Sequence, residues 1–180
     1  MRPLLILLTT VFLSGCMGMP DKVQPVDNFE LQRYLGTWYE VARLDHSFER
    51  GLEQVTAEYT LQDNGTVEVR NRGFDTNEGE WKEAVGKAKL AAEPNQGYLK
   101  VSFFGPFYSS YVIFELGKDY DYAFVSGFNN DYLWLLSRTP TIDDALKQRF
   151  LSEAASKGFN TDELIFVDQQ NRDDAELSGH

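Results

Sequence analysis

Between residues 36 and 138, apolar and polar side chains alternate in short runs separated by turn-forming residues, the period expected of half-buried strands. The series opens with Gly36-Thr37-Trp38-Tyr39-Glu40-Val41-Ala42-Arg43, where a glycine and a large aromatic precede an alternating run without proline. Trp38 alone can bury on the order of 200 Å² and so plug one end of a small core. Residues 53–61 place Val55, Ala57, Tyr59 and Leu61 on one face, with Thr56, Glu58 and Thr60 on the other. After the tight-turn signal Asp63-Asn64-Gly65, Val67 and Val69 alternate with Glu68 and Arg70. Residues 73–79 read as a loop. Residues 81–91 then set Gly86, Ala88 and Leu90 against charged neighbours, and Glu93-Pro94-Asn95-Gln96-Gly97 turns the chain. Leu99, Val101 and Phe103 alternate with Lys100 and Ser102, and Phe104-Gly105-Pro106-Phe107 reverses direction. Runs over residues 108–116, 120–126 and 132–138 complete the set, divided by turns at Gly117-Lys118-Asp119 and at residues 127–130. Eight closely spaced strands predict a barrel or a sandwich.

The period changes once. Over residues 141–158, Ile142, Leu146, Phe150 and Leu151 recur at helical spacing. Thr141 is the expected cap, Asp143 and Asp144 suit the positive end of the dipole, and Lys157-Gly158 closes the helix. A short strand over 164–167 follows. The strand before the helix is apolar on both faces, Tyr132, Trp134 and Leu136 on one and Leu133 and Leu135 on the other, as a helix packed outside it would require. In an even-numbered antiparallel meander, the start of the first strand and the finish of the last lie at the same end. If the sheet closes, Trp38 and Arg138 become neighbours, and a guanidinium on an indole face contributes about 0.5 to 2 kcal/mol.

The N-terminus has a different character. Arg2 precedes an apolar run over residues 4–13 that is too short to span a bilayer and reads as a secretory signal peptide. It ends in Leu13-Ser14-Gly15-Cys16, which resembles the bacterial lipobox, in which the cysteine is acylated and becomes the mature N-terminus. Met17 stands where an aspartate commonly marks inner-membrane retention in such lipoproteins, so the resemblance implies the outer membrane. The organisation read from the chain is a signal peptide over 1–15, a lipidated N-terminus and tether over 16–28, a domain over 29–170 and a flexible tail over 171–180. Cys16 is the single cysteine, so no intramolecular disulfide is available in an oxidising compartment.

The net charge of −11 becomes −12 once Arg2 leaves with the leader, which argues against nucleic acid as a partner. No Gly-x-Ser-x-Gly, His-Glu-x-x-His or Cys/His cluster is present, and His180 is one of only two histidines. The sequence therefore reads as a non-enzyme with no metal and no cofactor. His46 reads as an exposed loop residue.

Three motifs together resemble the lipocalins: Gly36-x-Trp38 in the first strand, Asp119-Tyr120-x-Tyr122 before the seventh, and Arg138 before the helix. The resemblance covers roughly residues 29–170. Within the family it is similar to the lipid-anchored outer-membrane lipocalins of bacteria, which resemble apolipoprotein D. Tyr34-Leu35-Gly36-Thr37-Trp38-Tyr39-Glu40, Phe48-Glu49-Arg50-Gly51-Leu52, residues 101–107 and Asp131-Tyr132-Leu133-Trp134 carry that closer likeness. The implied fold is all-β: an eight-stranded antiparallel up-and-down β-barrel with one C-terminal α-helix packed outside and a short final strand.

In that barrel Gly36, Trp38, Asp119, Tyr120, Tyr122 and Arg138 mark the closed end. Alternation turns Glu40, Ala42, Val55, Ala57, Tyr59, Val67, Val69, Ala88, Leu99, Val101 and Phe103 inward, an apolar tube suited to an acyl chain. Glu40 reads either as a ligand contact or as a structural carboxylate. Phe48, Phe104 and Phe107 would line the open rim, with Arg50 near an anionic head group. The expected partners are a fatty acid or lysophospholipid and, through Cys16, the outer membrane, with the barrel in the periplasm. A structural envelope lipoprotein with a filled barrel, a carrier of another small hydrophobic ligand, and a homodimer all stay open. Cys16→Ala is expected to shift the protein from outer-membrane fractions to a soluble or unprocessed form, checked by fractionation; recovery with the outer membrane would count against the anchor.

Overall fold

The computed structural model describes residues 18–91 and 95–170. The signal peptide, Cys16, Met17, the Glu93-Pro94 part of one turn and the tail over 171–180 lie outside the described residues. Eight strands follow one another: β1 Gly36–Arg43, β2 Leu52–Leu61, β3 Val67–Asp75, β4 Glu80–Leu90, β5 Tyr98–Phe104, β6 Phe107–Leu116, β7 Tyr122–Ser126 and β8 Leu133–Ser137. Each pairs antiparallel with the next, and β1 pairs with both β2 and β8, so the sheet closes into an up-and-down barrel. The loop expected over 73–79 contracts to a tight turn. β3 runs on through Gly73 to Asp75, with Phe74 opposite Trp81. Gly73 makes this extension possible, because a Cβ there would sit 3.1 Å from both Leu52 Cβ and Val55 Cγ2.

Alternation divides the apolar side chains into two cores. The inner one joins Trp38, Ala57, Tyr59, Val67, Val69, Ala88, Leu99 and Leu136. The outer one joins Phe114, Phe124, Leu133, Leu135, Phe150, Ala154 and Phe159 beneath helix α2 (Asp144–Ser156). β8 thus buries both faces. The helix starts later than expected: Asp143, not Thr141, is the cap, its carboxylate accepting from the Leu146 amide at 2.8 Å. An acceptor at this position satisfies one of the four orphan amides of the first turn.

β1 and β2 are paired only from Gly36↔Tyr59 to Tyr39↔Thr56, and then diverge. The chain after α2 fills the gap. β9 (Ile165–Phe166) pairs with Ala42 and Arg43 outside the ring, and the Gln169 amide donates to Glu40 O at 2.7 Å and Val55 O at 3.0 Å. The stretch expected to be a tether is also packed. Val23 is fully buried in the outer core, and Val26 exchanges backbone hydrogen bonds with Ile113 O and the Gly97 amide, both 2.8 Å.

At the closed end, helix α1 (Leu31–Tyr34) precedes β1, and its last carbonyls have no partner within the helix. Arg138 supplies one. Its guanidinium donates to the carbonyls of Arg33, Tyr34 and Leu35 at 2.9–3.2 Å, to Thr37 O at 2.7 Å and to Tyr120 O at 3.3 Å. The same group lies 3.8 Å from the Trp38 ring centroid, and the Trp38 indole donates to Tyr34 O. Gly36 has φ +90°, a left-handed conformation, and a Cβ there would lie 3.6 Å from Arg138 Nη1. Arg138→Ala strands these acceptors and removes the stack. It is expected to cost about 2 to 4 kcal/mol in urea denaturation, with ligand affinity unchanged because the open mouth is at the opposite end; an unchanged midpoint would refute the role.

Candidate functional site

The barrel interior has three tiers. At the floor Tyr34, Trp38 and Tyr59 pack ring to ring, with Tyr34–Trp38 centroids 4.7 Å apart. Tyr111 Oη lies 2.7 Å from Tyr34 Oη and accepts from Tyr59 Oη at 2.8 Å. Burial raises the hydroxyl pKa of all three tyrosines, so the floor is neutral and closed by hydrogen bonds. The middle tier is apolar. Val67, Val69, Ala88 and Leu99 are fully covered, and Val55 packs where Gly73 leaves room. Val101 and Phe103 face the same interior but are only partly buried.

The upper tier is charged, and of its members alternation predicted only Glu40 inside. A bulge between Glu40 and Ala42 changes the phase of β1 against β8. Ala42, expected inside, joins Val41 in the outer core beneath the helix. Arg43 takes the buried side beside Glu40, with its Nη1 donating to Glu40 Oε1 at 2.7 Å and its Nη2 to Glu49 O at 2.8 Å and Leu52 O at 3.1 Å. The expectation of an exposed His46 is also overturned. Its ring is 6% exposed, stacked 4.0 Å from Phe48 and flanked by Tyr132 and Trp134. His46 Nε2 lies 2.9 Å from Glu49 Oε2, which also accepts from the Trp134 indole at 3.1 Å. The β1–β2 loop is therefore folded onto the barrel by buried charges instead of standing free at the rim. The signal missed in the sequence is the Arg43, His46, Glu49 series that joins Glu40 here, which reads as surface polarity until the bulge is known.

Electrostatics split the two buried carboxyls. Burial and the neighbouring Glu49 raise the Glu40 pKa well above the usual range, outweighing Arg43. Burial also pushes Glu49 upward, but hydrogen bonds and charge from His46, with Trp134 and Arg43, outweigh it and lower its pKa. Of the pair, Glu40 is therefore the carboxyl that binds its proton more tightly and Glu49 the one that ionises first.

Around the rim, Phe48, Phe104 and Phe107 are 59%, 81% and 78% exposed. Arg50 is engaged by Asp45, donating to its two carboxylate oxygens at 2.6–3.2 Å. Of the signature residues at the closed end, Tyr120 accepts from the Glu30 amide through its hydroxyl and lies under Arg33. Tyr122 points outward, packing on Phe124 and bonding Glu115. A groove of about 510 Å³ lies outside the barrel between the closed end and α2, lined by Tyr122, Arg138, Ile142 and Arg149 among others. Among the described residues no group of three or more His, Cys, Asp or Glu is placed to hold a metal.

Comparison with known proteins agrees with this geometry. The family described as a lipocalin-like domain matches residues 29–169. The chain is 58% identical over 171 residues to the Outer membrane lipoprotein Blc of Vibrio cholerae, covering 94% of this chain and 100% of that one. It is 48% identical to the protein of the same name from Escherichia coli K12, covering 93% and 96%. Mouse apolipoprotein D is 30% identical over 167 residues, covering 88% and 85%. Among solved structures, insecticyanin from the tobacco hornworm Manduca sexta shares the fold with a TM-score of 0.69 at 20% identity, covering 86% of this chain and 88% of that one.

The Glu40 proton has a measurable consequence. Because its folded pKa is raised, its contribution to stability is full below the ordinary value near 4.3 and is lost as pH rises toward the folded value, by up to about 1.4 kcal/mol per pH unit. Glu49 has the opposite sign and acts only as pH falls through its lowered value. Glu40→Gln keeps a donor for Glu49 and an acceptor for Arg43. Urea midpoints between about pH 5 and 8 are expected to fall with rising pH more steeply in the wild type than in this variant; identical slopes would place the proton elsewhere.

Proposed function

The chain belongs to the lipocalin family, and from that premise we propose that it is a lipid-anchored outer-membrane carrier that stores or transports fatty acids or lysophospholipids for the envelope. It is a binding protein, not an enzyme. The anchor in this reading is Cys16 of Leu13-Ser14-Gly15-Cys16, with the barrel in the periplasm; the relatives named Outer membrane lipoprotein Blc support the outer membrane as the anchoring site.

One observation carries the reading of the lumen. Val101, Phe103, Tyr111 and Trp134 pack on the inner core yet keep solvent exposure. In a barrel filled by its own side chains, inward apolar groups at this depth would be covered. An acyl chain laid against them leaves water at about 0.8 kcal/mol per CH₂. The tyrosine floor sets how deep the tail can go. The upper tier suits a head group: Arg43 Nε is a buried donor without a partner, and Asn71, opposite Ala57 on the lumen side, has a buried Oδ1 without one. Arg50 can exchange its exposed partner Asp45 for an anionic head at little cost, since such surface pairs contribute about 0 to 1 kcal/mol. The filled-barrel reading draws on the same two tiers and on Val67, Val69, Ala88 and Leu99, which are covered between them.

Titration with fatty acids and lysophospholipids of increasing length, with a diacyl lipid as control, separates these readings. Affinity is expected to rise with each added CH₂ until the tail meets the floor and then to level off, with the diacyl lipid weaker because an eight-stranded barrel holds one small ligand. A flat response would favour the filled barrel, and tighter binding of the diacyl lipid would overturn the single-tail reading.

A further inference from the structure

We infer that residues 19–26 form a strap that holds one flank of the barrel against the bilayer carrying its own anchor; this rests on acylation of Cys16. A free spacer from Cys16 to Asn28 could reach about 40 Å when extended, enough to let the domain turn and wander. The structure removes that slack. Met19 packs on the outer core, Pro20 is buried and accepts from the Val23 amide at 2.9 Å, and Val23 is fully covered. Val26 is then tied to β6 and to Gly97 by backbone hydrogen bonds, and the Phe29 amide donates to Asn95 O at 2.7 Å. Gly97 is shaped for the strap: a Cβ there would come within 2.7 Å of Val26 Cγ2.

Cys16 lies three residues before Met19, at most about 11 Å along the chain. An acylated Cys16 sits at the head-group layer, so the flank formed by the strap, the outer face of β6 and α2 lies against that layer. The opposite wall, β2 and β3, faces away. With no reach, the barrel exchanges cargo with the leaflet that anchors it.

The test uses the full acylated protein in phosphatidylethanolamine/phosphatidylglycerol vesicles with an acceptor dye on the head groups. A donor fluorophore is placed, as a non-natural amino acid, at exposed Lys22 on the strap or at exposed Thr60 on β2. Energy transfer from position 22 is expected to exceed that from position 60 severalfold. Inserting about twenty Gly/Ser residues between Gly18 and Met19, with an r.m.s. span of about 25 Å, should bring the two sites to the same level. Equal transfer from both sites in a protein that floats with the vesicles would overturn the strap, and so would a difference that survives the insertion. A protein that does not float would instead refute acylation at Cys16 and take the inference with it.

Discussion

The closed end depends on one guanidinium. Arg138 sits on the Trp38 indole and donates to five backbone carbonyls drawn from α1, the start of β1 and the turn before β7. These segments are remote in sequence, and three of the acceptors are the orphan carbonyls of the last two residues of a four-residue helix and of its C-cap, Leu35. A lysine at this position would offer a single point charge; the planar fork of arginine reaches several acceptors at once while its face stacks on the ring. These contacts cover Trp38 and tie α1, which carries Tyr34 of the floor, to the end of the ring.

The other end is governed by a different constraint, the cost of burying charge. Arg43, Glu40, Glu49 and His46 are all nearly inaccessible. They are tolerated because burial shifts one carboxyl toward its neutral form, the other is surrounded by donors, and the guanidinium meets a carboxyl and two carbonyls. The unpaired Arg43 Nε shows that the network is not fully satisfied from within the chain. A polar tier near the mouth over an apolar middle gives the lumen the same polarity gradient as an amphiphile with one tail.

The seam of the barrel shows how the flanking segments serve the ring. β1 and β2 part after four paired residues, which would leave backbone groups open on both strands. The C-terminal segment meets that need: Val167 donates to Val41 O, Gln54 donates to Asp168 O, and the Gln169 side chain bridges Glu40 and Val55. The N-terminal segment covers the outer core next to α2. Neither segment is a loose end, although the N-terminal one reads as a tether in composition.

Period-two alternation between residues 36 and 138, a single helical stretch and two aromatic–cationic landmarks determined the strand count, the helix outside the barrel and the pairing of Trp38 with Arg138. These features follow from local period and chain direction, which a sequence carries directly. The middle of the lumen was legible for the same reason: Val67, Val69, Ala88 and Leu99 lie in uninterrupted runs. Tertiary structure alone decided the rest. One inserted residue between Glu40 and Ala42 reversed the facing of the strand beyond it, sending Ala42 out and Arg43 in, and no local pattern announces where a ladder will bulge. The burial of His46, the docking of Val23 and the bridging by Gln169 depend on surfaces contributed by distant strands, and those surfaces exist only once the ring has closed.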